Sequence, residues 1–549
     1  MKILFTTPCK PIPIFLGKYL SIDDVSYRFI VDQGLFNATA DVPAFSLHYL
    51  AQNINVPSVV LEWPTFDELE KELRSDYYDY IGITFKFLDV YMVVEMIEHI
   101  RRVSPHTQII LGGYGTLTLD EPEYAYIQNS VDYVCKYGDG VAFLRHLIGD
   151  YELRPTVAHM PLETIYLPWL PAAALNIAYI LSALGCVWKC EFCCTSAYAG
   201  GKVLDTMSPE EIVDSMRWYH TKYPHLSQIY MMDEELLLRQ KKVRAIGKLI
   251  REDESLGLST MSYLAFGTIK AISRWDPEEM LLNGVSQVWS GVESLYSYYR
   301  KKGDVDSREL MRTLNECGIE TQLSWIIGDD CQTKENIQAD IDYFIDHVPT
   351  TAQLSSLSAF PGTPLYSRLK AEGRVQTLVP EEAHLLGNNM DSLHFTHEER
   401  LELIMGTHHQ LYEAHGPSLM RSAEVFLNGY EYCRQSKNPY LREDKARYFE
   451  KKIKTYVLFA AVAEAFAPND HIRQEMRAMQ DRYVSLFGPL NERQQFISNW
   501  IMAHAEKEMV RREREGYEPT PRDVPLKRYT YDGRTSMAKE RYEVPLSVM

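Results

Sequence analysis

Three cysteines within eight residues, Cys186, Cys190 and Cys193, are the densest chemistry in the chain. They lie in Ala183-Leu-Gly-Cys-Val-Trp-Lys-Cys-Glu-Phe-Cys-Cys194, spaced Cys-x3-Cys-x2-Cys. Thiolates this close on one hairpin suit a metal. On a [4Fe–4S] cube, three protein thiolates leave one iron open, as a catalytic metal site must be. A structural zinc site or cysteines that merely pack are the plainer readings. Zinc takes four ligands, usually as two separated pairs, and adjacent Cys193 and Cys194 serve one tetrahedron poorly. Cys9, Cys135, Cys317, Cys331 and Cys433 are scattered and form no second triplet. Buried free thiols are ordinary packing residues, and Cys194 reads as a spectator.

Other polar and glycine-rich stretches follow apolar runs. Met231-Met-Asp-Glu-Glu235 brings up Asp233 and Glu234, whose plain reading is the acidic first turn of a helix. Gly291-Val-Glu-Ser294 brings up Glu293 and Ser294, which could simply cap the next helix. Gly112-Gly-Tyr-Gly-Thr116 and Gly138-Asp-Gly140 offer backbone that a large ligand can approach closely.

The elements that must position these residues fall into blocks. In residues 1–150, strand-like runs at Lys2–Thr6, Ser58–Glu62, Tyr80–Phe85, Gln108–Leu111 and Val131–Cys135 alternate with amphipathic stretches such as Val90–Val103. This predicts a doubly wound, Rossmann-like parallel sheet, whose ligands bind beyond the carboxyl ends of the strands. Residues 151–176 are proline-rich and read as a linker. In residues 177–370, runs at Ala178–Leu184, Gln228–Met232, Met261–Phe266, Gln287–Val292, Thr321–Ile327 and Gln353–Phe360 alternate with helices at Pro209–Lys222, N-capped by Ser208, and Glu335–Asp346. They predict a partial (β/α)6 barrel with its chemistry at the strand carboxyl ends, where the cysteine loop falls. Residues 371–505 read as a helical domain, and 506–549 as an extended arm over the surface. Within the helical block, Lys452–Phe466 has a broad apolar face that suits core packing, or in part a substrate pocket.

The chain has 549 residues and a net charge of −18. That charge disfavours nucleic acid as a partner, because phosphate binding relies on clustered Lys and Arg. An odd count of nine cysteines suits a reducing, cytoplasmic setting better than a disulfide framework. No apolar run reaches the roughly 18–20 residues of a membrane span, and the N-terminus runs straight into a strand-like stretch without a signal peptide. Peripheral membrane contact stays open.

The cysteine spacing, with Phe192 just before the third thiol, resembles the signature of radical S-adenosylmethionine (SAM) enzymes. The resemblance implies that Cys186, Cys190 and Cys193 hold a [4Fe–4S] cluster whose open iron takes the amino and carboxylate groups of SAM. It implies that Asp233, with Glu234 as second choice, receives the SAM amino group. Gly291-Val-Glu-Ser294 matches the turn that bonds the ribose and amino-acid part of SAM, through Glu293 and Ser294. Trp325-Ile-Ile-Gly328 and Ala359-Phe-Pro-Gly-Thr-Pro-Leu365 match later turns that hold adenine, Gly328 among them.

With a doubly wound domain in front, residues 1–370 resemble the cobalamin-binding class of these enzymes. That implies a cobalamin at the mouth of the barrel, lined by Thr84, Phe85, Gly112, Gly113, Gly115, Thr116, Gly138 and Gly140. The Asp-x-His-x-x-Gly motif that supplies a lower histidine is absent, and His48, His99, His106 and His146 lack its context. The loop Thr84-Phe-Lys-Phe87 is then expected under the cobalt, unless Phe85 and Phe87 only pack a domain interface. The activity implied is a cobalamin-dependent radical-SAM methyltransferase acting on an unactivated carbon, with a 5′-deoxyadenosyl radical as hydrogen abstractor. A bulky, partly apolar small molecule such as a lipid, tetrapyrrole or secondary metabolite is the expected substrate. A reductase, ferredoxin or flavodoxin is the expected electron donor. Two alternatives stand beside it: a radical cyclase, coupling or rearrangement enzyme that has lost cobalamin, and a non-catalytic B12 or iron–sulfur sensor.

Overall fold

Side chains along a strand alternate between faces, so a strand apolar at every position needs a core on both sides. The computed structural model describes all residues except 11–13, 16–17, 20–32, 227, 254–256, 298–304, 377–383, 517–525, 534–536 and 541–549. In its first sheet Leu4, Val59, Ile81 and Ile109 enter one core with the helix Val90–Val103. Ile3, Phe5, Val60 and Ile110 enter a second core with the helix Phe45–Gln52. Two cores on one sheet make it doubly wound. Its parallel strands stand in the order Ser58–Glu62, Ile3–Thr6, Tyr80–Thr84, Gln108–Gly112, Tyr133–Val134.

The C-terminal tail departs from the expected surface arm. Residues 506–515 complete the helix Glu492–Glu515, which Gly516 ends at φ +77. Lys527–Tyr531 then pairs antiparallel with Ser58–Glu62 and caps the edge of the first sheet. The cause lies in its alternation: Tyr529 and Tyr531 are buried against the sheet, while Arg528 reaches Glu72 with two 2.8 Å bonds. Lys527 pairs with Asp41, tying the tail to a strand of the second sheet. The rest of the expected arm, 517–525, 534–536 and 541–549, lies outside the described residues.

The second sheet sets six parallel strands side by side in chain order: Ala173–Ile180, Gln228–Met231, Ser262–Phe266, Val285–Gly291, Glu320–Ile327 and Thr351–Ser356. Helices join them, as right-handed crossovers require. The helix Pro209–Lys222 opens with a capping box between Ser208 and Glu211. Two further strands corrected the expected boundaries. Glu163–Tyr166 runs antiparallel to Ala173–Ile180, and Thr39–Asp41 runs antiparallel to Glu163–Tyr166. The stretch expected to be a linker therefore supplies barrel-sheet strand, and a piece of the first 150 residues joins it. Pro168 and Pro171 lie between the two antiparallel strands, so these prolines mark a turn.

Beyond residue 396 the chain is mostly helix: His397–His415, Ser418–Gln435, Ala446–Tyr456, Asp470–Phe487 and Glu492–Glu515. One core runs from the barrel into these helices through Phe426, Tyr448 and Phe449. A Cβ on Gly429 would lie 2.8 Å from the Gly318 Cα, so backbones nearly touch where the helices meet the barrel. Among the described residues no helix is long and apolar enough to cross a membrane.

Candidate active site

The first barrel strand ends at Ile180, and a short hairpin, Ala183–Leu184 with Leu204–Asp205, leads into the cysteine loop. Gly185 makes the entry at φ +89, where a Cβ would overlap Lys202 O and Ala199. Inside the loop the Cys193 N–H donates to Cys190 O at 3.1 Å, and the Ser196 hydroxyl donates to Cys186 O at 3.1 Å. Cys193 starts the short helix Cys194–Tyr198. Cys186, Cys190 and Cys193 are half-buried. Among the described residues no three His, Cys, Asp or Glu side chains converge on a point that one ion could occupy. Thiols for a cube's separate corners need no such point. Cys194 turns away into an apolar patch with Phe87, Leu117 and Phe360, and burial pushes its thiol up to about 12.

Asp233, the first-choice partner for the SAM amino group, is committed elsewhere. It is 1 % exposed. Its Oδ1 accepts the Ser182 and Ala183 N–H groups at 2.8 and 3.0 Å, and its Oδ2 accepts the Ser182 hydroxyl at 2.6 Å. Arg239 stands 3.4 Å away on the same oxygen. Asp233 thus clasps the end of the first barrel strand. Glu235 is likewise taken, by the Thr268 N–H and hydroxyl. Glu234 points at the cysteine loop: its Oε2 accepts the Gly185 N–H at 3.0 Å, and burial pushes its carboxyl up to about 7, with Asp233 adding to the rise. The two carboxylates are therefore held differently: the strand end takes both oxygens of Asp233, whereas Glu234 accepts the Gly185 N–H at the entry to the cysteine loop.

The other expected contacts ring the same rim. Phe192 packs against the core of Leu357, Leu365 and Tyr366. The adjacent Glu191 accepts the Leu365 N–H at 2.9 Å and pairs with Arg368 at 3.1 Å, tying the loop to the turn after the sixth strand. Glu293 is half-buried; Ser294 is buried, and its Oγ accepts the Tyr296 N–H at 3.1 Å. Gly328, at φ +100, donates its N–H to Gln332 Oε1 at 2.8 Å. Behind it lies a residue the sequence did not single out. Arg400 is 1 % exposed, a Gly328 Cβ would lie 2.8 Å from its Cδ, and among the described residues its Nε and Nη1 have no hydrogen-bond partner.

The sheet domain meets this rim through aromatic residues. The Tyr114 hydroxyl lies 3.0 Å from Thr195 Oγ1, and the Tyr198 hydroxyl donates to Cys135 O at 3.2 Å. Phe87 stacks on Phe360 with centroids 5.1 Å apart. Tyr114 was also missed in the sequence, where it reads only as the spacer between two glycines.

The residues expected to line cobalamin differ in how closely the chain packs around them. Phe85 is buried in the sheet-domain core, and Phe87 packs the interface. A Cβ on Gly113 would lie 2.7 Å from Phe85 O, and one on Gly115 2.8 Å from Lys86 O and within the Phe85 ring's contact distance. Thr116 is buried, its hydroxyl donating to Gly113 O at 2.7 Å, and Thr84 Oγ1 would stand 2.8 Å from the Gly113 Cβ. These glycines serve close packing of the chain on itself and do not line a corrin. Gly112, Gly138 and Gly140 differ. Nothing lies within 4 Å of a Gly138 Cβ, at φ +98, and the nearest atom to a Gly112 Cβ is 4.0 Å away. Gly140 faces Leu50 at 3.0 Å. The residues present fit cobalamin at Gly112 and Gly138, and not at Gly113, Gly115, Phe85 or Thr116. Two of the histidines are engaged elsewhere: His48 is buried between Glu62, at 2.9 Å, and Tyr531, at 2.6 Å, and His106 stacks on Tyr77.

No family model matches the chain. It is 22 % identical over 404 residues to the uncharacterized methyltransferase PH0819 of Pyrococcus horikoshii, covering 66 % of this chain and 86 % of that one. Its fold is that of the radical SAM methyltransferase TsrM of Kitasatospora setae. With tryptophan and a SAM analogue bound, TsrM superimposes at a TM-score of 0.52 and 16 % identity, over 81 % of this chain and 98 % of that one. With cobalamin and a [4Fe–4S] cluster bound, the score is 0.50 at 17 % identity, over 82 % and 99 %.

Proposed function

We propose that the chain is a cobalamin-dependent radical-SAM methyltransferase acting on a small molecule. The observation that carries this reading is the position of the three-cysteine loop, at the carboxyl end of the first barrel strand and in contact with the sheet domain through Tyr114 and Tyr198. The fold shared with TsrM and the relative described as a methyltransferase support it. When bound, the cluster supplies the electron that cleaves the SAM sulfonium, and cobalamin carries the methyl group.

In this reading Cys186, Cys190 and Cys193 hold the cluster. Glu234 takes the hydrogens of the SAM amino group, since an amino group offers N–H donors and a half-buried carboxylate accepts them. Asp233 acts at one remove, fixing Ser182 and Ala183 so that the loop leaves the strand in one direction. Glu293, Ser294 and Gly328 form the opposite rim, facing the sugar and base. Phe192 anchors the loop on the sixth strand's turn. Tyr114 and Tyr198 close the mouth from the sheet-domain side and keep water out. Gly112 and Gly138 offer the close backbone approach that cobalamin needs, with no imidazole from this chain. The electron comes from a reductase, ferredoxin or flavodoxin.

The packed edge at Gly113 and Gly115 favours a second reading, a radical enzyme that works without cobalamin. Anaerobically reconstituted protein, given SAM, a strong reductant and hydroxocobalamin, separates the two. Methyl transfer yields S-adenosylhomocysteine that depends on added cobalamin. A cobalamin-free radical enzyme yields 5′-deoxyadenosine alone, unaffected by cobalamin, and a sensor yields neither.

A further inference from the structure

The barrel's inner face is unusually polar. Along its strands Ile229, Val288 and Leu323 go to the outer core, while Gln228, Gln287 and Gln322 turn inward around a cavity of about 320 Å3. The amides form a chain: Lys452 Nζ donates to Gln228 at 2.6 Å, Gln228 to Gln287 at 2.5 Å, and Gln287 to Gln322 at 3.5 Å. Above them the Trp289 indole N–H donates to Ser324 at 2.7 Å, whose hydroxyl donates to Gln353 at 2.9 Å. Met232 lines the cavity directly before Asp233, so the chamber lies under the acidic turn of the candidate site.

Charge is distributed unevenly in this chamber. On one wall Glu320 is compensated by Lys452, which reaches in from the helix Ala446–Tyr456. On the other wall Glu163, 7 % exposed, bonds to the Tyr179 hydroxyl. Among the described residues no Lys, Arg or His pairs with it, and the nearby Asp41 is held by Lys527. A buried carboxyl without a cation holds its proton or takes a cationic partner. Aromatic side chains line the chamber: Phe45 lies on Tyr179, the partner of Glu163, at 3.9 Å between centroids, and Trp289 lines it as well. The volume is at the low end of the roughly 300–1,000 Å3 typical of small-molecule sites, too small for a tetrapyrrole.

We propose that this chamber takes the substrate, and that the substrate is a flat, mainly apolar molecule with a basic nitrogen, its ammonium set against Glu163 and its ring between the aromatic walls. This rests on the proposed reaction and narrows its substrate class. Burial holds Glu163 up at about 7, and an adjacent ammonium lowers it again.

The test is binding of 2-(2-naphthyl)ethylamine and 2-naphthylacetate, a matched ammonium and carboxylate on one ring, to the cluster-loaded full chain by titration calorimetry. The expected result is an amine affinity at least about tenfold above that of the acid, with Glu163→Gln removing most of the difference. Tyr179→Phe, which keeps the carboxylate, should preserve the preference, and it stands in if Glu163→Gln does not fold. Equal affinities, no binding of either probe, a preference that survives Glu163→Gln, or one lost in Tyr179→Phe would each overturn the proposal. SAM cleavage and cobalt content are read on the same preparations. If both are normal while amine preference is absent, the chamber falls alone. If amine preference is present without SAM cleavage, the reaction assigned to the barrel falls and the chamber stands.

Discussion

Two strand ends carry the same sequence signal, glycine after an apolar run, and use it in opposite ways. At the barrel mouth Gly185 lets the chain fold back on Lys202 and Ala199 at the entry to the cysteine loop. At the sheet domain Gly113 and Gly115 let the chain fold back on Phe85 and Lys86, which closes the edge to anything else. Gly138, by contrast, has nothing within 4 Å of its Cβ position. A glycine-rich strand end therefore reports that something approaches closely, but not whether that is ligand or the chain itself.

The largest effect should come at the barrel mouth. Cys186→Ala, Cys190→Ala and Cys193→Ala should each lose the cluster, measured as iron and acid-labile sulfide, and with it all reductive SAM cleavage. Cys194→Ala should keep both, because that thiol lies in the apolar patch. A cluster lost in Cys194→Ala and kept in Cys193→Ala would put the loop in the wrong register.

Next in size is the contrast between neighbouring carboxylates. Glu234→Gln should weaken SAM binding about tenfold or more with little change in melting temperature. Asp233→Asn should instead cost about 1–3 kcal/mol of stability, since its amide cannot accept all the bonds that the carboxylate accepts from Ser182 and Ala183. Calorimetric titration and thermal melts read the two, and the opposite pattern would restore Asp233 as the SAM ligand.

At the sheet edge the comparison sharpens through single methyl groups. Gly115→Ala should lower stability by about 1–3 kcal/mol, because its Cβ meets Phe85 and Lys86. Gly138→Ala meets no atom, pays only the strain of φ +98, about 1–2 kcal/mol, and should reduce cobalamin retention. Denaturant melts and bound-cobalt assays distinguish them. Full cobalamin retention in Gly138→Ala would move the cofactor away from this edge.

A pH-dependent effect confined to acid concerns Asp89, which accepts the Lys86 N–H at 2.9 Å. Burial pushes its carboxyl from 3.8 up to about 6. Between those values the folded state keeps a proton that the unfolded state has lost, so stability falls as pH rises through the window, by about 2–3 kcal/mol at most. Asp89→Asn should flatten that slope in melts taken from pH 4 to pH 6.

The parallel sheet and the six barrel strands were legible because their runs are long and apolar on a clear period. The antiparallel additions were not. Thr39–Asp41 and Glu163–Tyr166 are three and four residues long, below what periodicity can resolve. Lys527–Tyr531 was hidden by its charge, since Lys527 and Arg528 read as surface until Asp41 and Glu72 are seen opposite them. At the site, cysteine spacing was readable because the ligands are local in sequence. Nothing in Met231-Met-Asp-Glu-Glu235 tells that Asp233 holds Ser182 and Ala183 while Glu234 holds Gly185. Arg400 and Tyr114 come from distant elements, and only the fold brings them to the rim.

Cofactor content of the protein purified anaerobically after growth with cobalamin tests the central claim most directly. Iron, sulfide and cobalt are measured together with the absorption spectrum. The expected result is about four irons and about one cobalt per chain, the iron lost on mutation of any of the three cysteines and the cobalt retained. Iron without cobalt, even after reconstitution with hydroxocobalamin, would contradict the cobalamin-dependent methyltransferase and leave a radical enzyme that works without it.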